Sequence, residues 1–235
     1  MMSFNPIQIN NKTFQLQELT FNQALKISAI DPKYNEKRLS EFLKSALSDH
    51  LIDVRDLSVQ VRYYLLLQYL ATQTKTIFAI SDVDVGKYML KTKQAESQIS
   101  IDGVTVRLLT GHDAELLESN CASCAEWIAC MIAMQLSFEK HDVLKGVLLP
   151  SQQDYETQFI TRLDYVKNLP LTEFNVLYDQ YELLLSQLSH LVEIVPSESG
   201  LALLPVNGGT DDAPMRFCPS TAFTGCIKYL DKRDS

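Results

Sequence analysis

Across residues 168–196 the apolar side chains Leu171, Phe174, Tyr178, Tyr181, Leu185, Leu188, Val192 and Val195 follow one another at alternating steps of three and four. That spacing draws a narrow apolar stripe along an α-helix, and Leu177, Leu184 and Leu191 widen it on one side. Pro170 suits a first turn, where its missing N–H has no intrahelical partner to lose. Pro196, followed by Ser197 and Gly200, marks the expected end. A stripe this regular has to be covered by another helix, from this chain or from another.

A second stripe runs through residues 113–138 at Leu117, Cys121, Cys124, Ile128, Met131, Gln135 and Phe138, with Asp113 placed to cap a long helix. Residues 151–166 add Tyr155, Phe159, Leu163 and Val166 at helical spacing. Matching stripes predict that the two long helices pair antiparallel, with the third completing a small bundle.

The first half has a different texture. Ile7 and Ile9, a polar Asn10-Asn11-Lys12 turn, then Phe14 and Leu16 predict a β-hairpin. A helix follows to Ser28, with Thr20 or Asn22 as its cap, ending before Asp31-Pro32. Residues 35–47 read as an amphipathic helix and residues 57–70 as one apolar nearly all round, hence central. Residues 76–80 read as a strand and residues 83–90 as a short helix weakened by Gly86. Ile99 and Ile101, then Asp102-Gly103, then Val104, Val106 and Leu108 predict a tight hairpin of the type I′ kind. These strands are expected to share one small sheet.

After Pro196 the periodicity is lost. Residues 196–235 read as an extended C-terminal arm that lays Phe217, Phe223 and Tyr229 on a neighbour, with residues 206–235 dispensable for folding. The expected class is therefore α+β in three parts: a mixed domain over 1–110 with small antiparallel hairpins, a helical bundle-like domain over 111–195, and the arm over 196–235.

Chemistry is sparsely signalled. Cys121-x-x-Cys124 with Cys218 and Cys226 could hold zinc or an iron–sulfur cluster, but seven residues separate Cys218 from the next Cys-bearing step, and Cys121 and Cys124 fall on a core-facing stripe. Buried thiols are the expectation, with no metal and no cofactor. An odd count of five cysteines argues against a disulfide framework. His112-Asp113 and His141-Asp142 sit at helix edges, where such pairs are ordinary caps. Asp82 and Asp84 lack a third ligand at loop spacing, and Asn207-Gly208-Gly209 lacks the Lys and helix of a phosphate cradle. The reading is not an enzyme. A net charge of −8 without a basic run argues against nucleic acid, and no apolar run approaches the roughly 20 residues of a membrane span. The first residues lack a secretory signature. What remains are interaction surfaces, with Tyr178, Tyr181, Phe217, Phe223 and Tyr229 as candidate contacts, Tyr being enriched where subunits meet.

Three runs carry a family likeness. They are Phe14-Gln-Leu-Gln-Glu-Leu-Thr-Phe-Asn-Gln-Ala-Leu-Lys-Ile27, Arg38-Leu-Ser-Glu-Phe-Leu-Lys-Ser-Ala-Leu47 and Asp53-Val-Arg-Asp-Leu-Ser-Val-Gln-Val-Arg-Tyr-Tyr-Leu-Leu66. Over residues 7–90 the chain resembles the baseplate hub family of T-even-type contractile-tailed bacteriophages and, more loosely, phage tail assembly chaperones. The resemblance implies a hairpin handing over to helices, no catalytic residues, and other tail or baseplate proteins and copies of itself as partners. It implies a place in the virion tail, reached from the host cytoplasm. The alternatives are an assembly chaperone absent from the virion and a Cys-ligated metal or iron–sulfur protein.

Overall fold

The computed structural model describes residues 3–73, 84–90, 92, 94–206 and 214–222. Strands β1 (Ile7–Ile9) and β2 (Lys12–Phe14) form the first hairpin, turning at Asn10, which takes a left-handed φ of 52° that asparagine tolerates well. Helix α1 (Phe21–Ser28) starts on a capping box: Thr20 accepts the Gln23 N–H and Gln23 reaches back to Thr20. Helix α2 (Asn35–Ala46) buries Leu39, Phe42, Leu43 and Ala46. Helix α3 (Val59–Gln73) buries apolar side chains on most of its circumference and sits at the centre. The short helix expected near residue 85 is a 3-10 turn, Val85–Tyr88, with Asp84 capping it through the Gly86 N–H. The strand expected over 76–80 lies outside the described residues.

Strands β3 (Gln98–Ile101) and β4 (Val104–Arg107) turn at Asp102-Gly103 with φ of 51° and 78°, the two left-handed residues that a type I′ turn demands. Helix α4 (Gly111–Asn120) begins two residues before the expected cap: Thr110 is the cap, and Asp113 is the third helical residue of the capping box. The single helix expected over 113–138 does not form. Cys121 turns extended, Ser123 recaps the chain, and α5 (Cys124–Gln135) starts afresh before strand β5 (Leu136–Phe138). The stripe of threes and fours continued through this break because Cys121 and Phe138, though outside the helices, pack half-buried against the core. Gly111 leaves room for Arg62: a Cβ there would lie 2.1 Å from Arg62 Nη1 and 2.8 Å from the Arg55 Cα.

Helix α6 (Tyr155–Lys167) packs on α5, while α7 (Leu171–Leu185) lies against β3 and β4. The expected antiparallel pairing of the two long stripes is therefore replaced by a helix on a sheet. The helix expected over 168–196 stops at Leu185, and Glu193–Ser197 is strand β6, paired with β7 (Gly200–Leu204). Val192, Ile194 and Val195 are β-branched and suit a strand. Pro196, read as a helix stop, is tolerated inside β6 because β6 is an edge strand.

The described residues form an α+β fold with separate small sheets, ordered β1-β2, β3-β4-β5 and β6-β7, and not the single shared sheet expected. The β4–β5 pairing joins residues on both sides of position 110, and one hydrophobic cluster runs from Ile9 to Ala222. The first stretch of the expected arm is the β6–β7 hairpin, with Leu201, Ala202 and Leu203 buried. Residues 214–222 also return to the body. Met215 bonds to Leu203, and the Phe217 ring, buried, meets Tyr88 edge-on at 4.9 Å. Their apolar side chains found cover within the chain itself.

Candidate interaction site

A groove with a volume of about 340 Å³ opens between α5, α7 and β6. Its position follows from how α7 is anchored. Leu177, Tyr181 and Leu184 are its buried side chains, so Phe174, Tyr178 and Leu185, one step round the helix, stay half-buried. The core face of α7 thus combines Leu177 and Leu184, from the line that only widened the stripe in the sequence, with Tyr181 from the stripe itself. Ile128, Met131, Leu185, Ile194, Val195 and Pro196 form apolar walls. The polar points are few. Among the described residues the Oε1 of the buried Gln60 and the Nδ1 of His190 find no hydrogen-bond partner, and the Cys124 thiol points to the Pro196 carbonyl at 3.6 Å. Glu182 and Glu193 stand exposed among the lining residues.

Of the candidate contacts, Tyr178 lines this groove and stacks on Phe174 at 6.3 Å. Burial, and then the neighbouring Glu182 carboxylate, push its phenol above the ordinary range. Tyr181 is core: its hydroxyl donates to Gln135 Oε1 at 2.7 Å, and Gln135 in turn donates to the Arg107 carbonyl at 2.6 Å. Burial holds that phenol far above its usual value. Phe217 is likewise covered within the chain, while Phe223 and Tyr229 lie outside the described residues.

Among the described residues, Cys121, Cys124 and Cys218 do not come together. Cys121 faces Cys130, and that contact, followed by burial, raises the Cys121 pKa. Cys124 faces Pro196, and Cys218 lies beside Arg216, Arg38, Glu36 and Glu118; Cys226 is outside the described residues. Among the described residues, Asp53, Asp56 and His112 are the one trio of ligand-bearing side chains drawn together, within 4.8 Å. There a cation is already at hand, because Arg55 Nη2 holds Asp53 Oδ2 at 3.2 Å. Of the two dyads in the sequence, His112 turns to Asp56 at 3.3 Å while Asp113 turns inward to Arg107 and Tyr155. His141 Nδ1 accepts the N–H groups of Val143 and Leu144 and shapes its own loop.

A buried polar cluster fixes the C-terminal residues on the body. No side chain at Tyr34 caps α2; Glu118 from α4 does it instead, accepting the N–H groups of Glu36 at 3.0 Å and Lys37 at 3.4 Å. Arg216 Nη2 stands 3.5 Å from the same carboxylate, and Asn35 Nδ2 donates to the Phe217 carbonyl at 3.2 Å. Beneath them the fully buried Arg62 donates to the Glu36 carbonyl at 2.8 Å and to Ser40 Oγ at 2.9 Å. Burial raises the pKa of Glu36 in spite of Arg62, and lifts Glu118 to about 7.

The sequence signal missed Gln60 and His190. Gln60 was one polar residue on an apolar helix, and His190 lay in a presumed helix that proved to be a loop before β6. No described helix is long and apolar enough to cross a membrane. No family model, no curated protein and no solved structure matches this chain.

Proposed function

We propose that this chain is a non-catalytic structural component of a contractile bacteriophage tail, in or near the baseplate hub, and that it acts by forming protein–protein contacts with other tail or baseplate proteins. The observation that carries the reading is the apolar surface left on and beside α7. Leu171 is 74% exposed, Val176 and Leu183 are also exposed on another side of the helix, and the half-buried apolar walls of the groove lie beside α7 toward β6. Apolar area of this kind gains free energy when a partner covers it. The likeness of residues 7–90 to the hub family supplies the assembly, and the order of hairpin, α1, α2 and α3 agrees with what that likeness implies.

Mass spectrometry of purified tail particles and of tail intermediates from infected cells tests it. A structural subunit is found in the particles. A chain present only in intermediates is an assembly chaperone, and a chain in neither has no part in the tail.

A further inference from the structure

Ile194 stands opposite Leu203 in the β6–β7 ladder. Leu203 turns both main-chain groups the other way: its N–H donates to the Met215 carbonyl and its carbonyl accepts the Met215 N–H, each at 2.9 Å. Facing residues of an antiparallel ladder exchange either both bonds or neither. Ile194 and Leu203 are therefore a non-bonded pair, and the N–H and C=O of Ile194 point away from β7. Two residues on, the Pro196 carbonyl points the same way and meets Cys124, while its ring leaves no N–H idle. Among the described residues nothing pairs with the main chain of Ile194, and this part of the edge borders the groove, since Ile194, Val195, Pro196 and Cys124 line it.

The groove asks for a particular chemistry. Gln60 is only 8% exposed, and its Oε1 lacks a donor. Glu182 and Glu193 bring negative charge, and no lysine or arginine is among the lining residues. A volume of about 340 Å³ suits side chains, not a folded element.

We propose that β6 is an acceptor edge for an extended, basic and apolar segment of a partner tail protein. One strand adds beside Ile194 through main-chain hydrogen bonds. Its apolar side chains enter the groove between α5 and α7, a hydrogen-bond donor meets Gln60, and its Lys or Arg side chains face Glu182 and Glu193. The inference rests on the assembly reading above and names its contact.

The test measures fluorescence anisotropy of a short fluorescein-labelled peptide of alternating lysine and valine with the full chain. Binding is expected, with none for the same peptide carrying glutamate in place of lysine. Ile194→Pro removes the outward N–H and leaves the β7 ladder intact; it should weaken binding about tenfold, equivalent to roughly 1.4 kcal/mol. The surface double variant Glu182→Lys/Glu193→Lys, which leaves the core alone, should weaken it at least as much. Equal binding of both peptides, no binding of the basic one, or indifference to both variants overturns the proposal. So does a dimer of the chain that Ile194→Pro dissolves, because a second copy would then own the edge. Loss of the peptide result with the chain still found in tail particles sinks this contact alone. Intact peptide binding with the chain absent from particles and intermediates sinks the assembly reading instead.

Discussion

Glu118 ties together parts that are far apart in the chain. Its carboxylate caps α2 from α4 and faces Arg216 from the C-terminal residues, yet burial raises its pKa from 4.5 to about 7. A carboxyl raised in the folded state binds its proton more tightly there than in the unfolded chain. Its contribution to stability is thus fullest below about pH 4.5 and is lost as the pH rises toward about 7. Glu36, raised by burial, acts in the same direction. The expected effect of Glu118 is a loss of ~1–3 kcal/mol across that window, reduced by the access water has to it. Thermal melts at a series of pH values should show Glu118→Gln, which keeps an acceptor for α2, flattening the decline. Parallel curves for the two proteins would mean the carboxyl does not titrate there. Nothing in the local sequence marks Glu118: its partners come from residues 36, 37 and 216.

The helix α7 shows where periodicity is informative and where it is not. A step pattern of three and four identifies a helix but cannot say which of two adjacent apolar lines faces inward. Leu177 and Leu184 are buried and Leu171 is exposed, although Leu171 belonged to the longer stripe. Urea titration should separate them. Leu177→Ala is expected to cost about 2–5 kcal/mol through lost burial and a cavity, and Leu171→Ala to stay within about 0.5 kcal/mol. Similar costs for both would place Leu171 against something that the isolated chain already supplies. The same pattern ran on past Leu185 because Leu188, Leu191 and Val192 are buried by the turn into β6, whose β-branched residues then favour pairing.

At the scale of the whole molecule the C-terminal residues decide the shape of the core. An extended arm was expected from residue 196, with residues 206–235 dispensable for folding. Instead Leu203 pairs with Met215, and Phe217 fills a site against Tyr88. Phe217→Ala should therefore lower the urea midpoint at unchanged slope, corresponding to a stability loss of about 3–5 kcal/mol. A wild-type midpoint would return the segment to the role of a loose arm. The sequence by itself determined the hairpin turns at Asn10 and Asp102-Gly103, the cap at Thr20, and the existence of the amphipathic helices. Each of these is set by steric and hydrogen-bond terms acting within a few residues. Only the tertiary structure decided where the helices at 111–135 and 171–185 break, which side chains of α7 are covered, and that β6, among the described residues, pairs on one side alone and borders a groove on the other. Burial depends on what stands opposite a side chain, and here that is supplied by residues far along the chain.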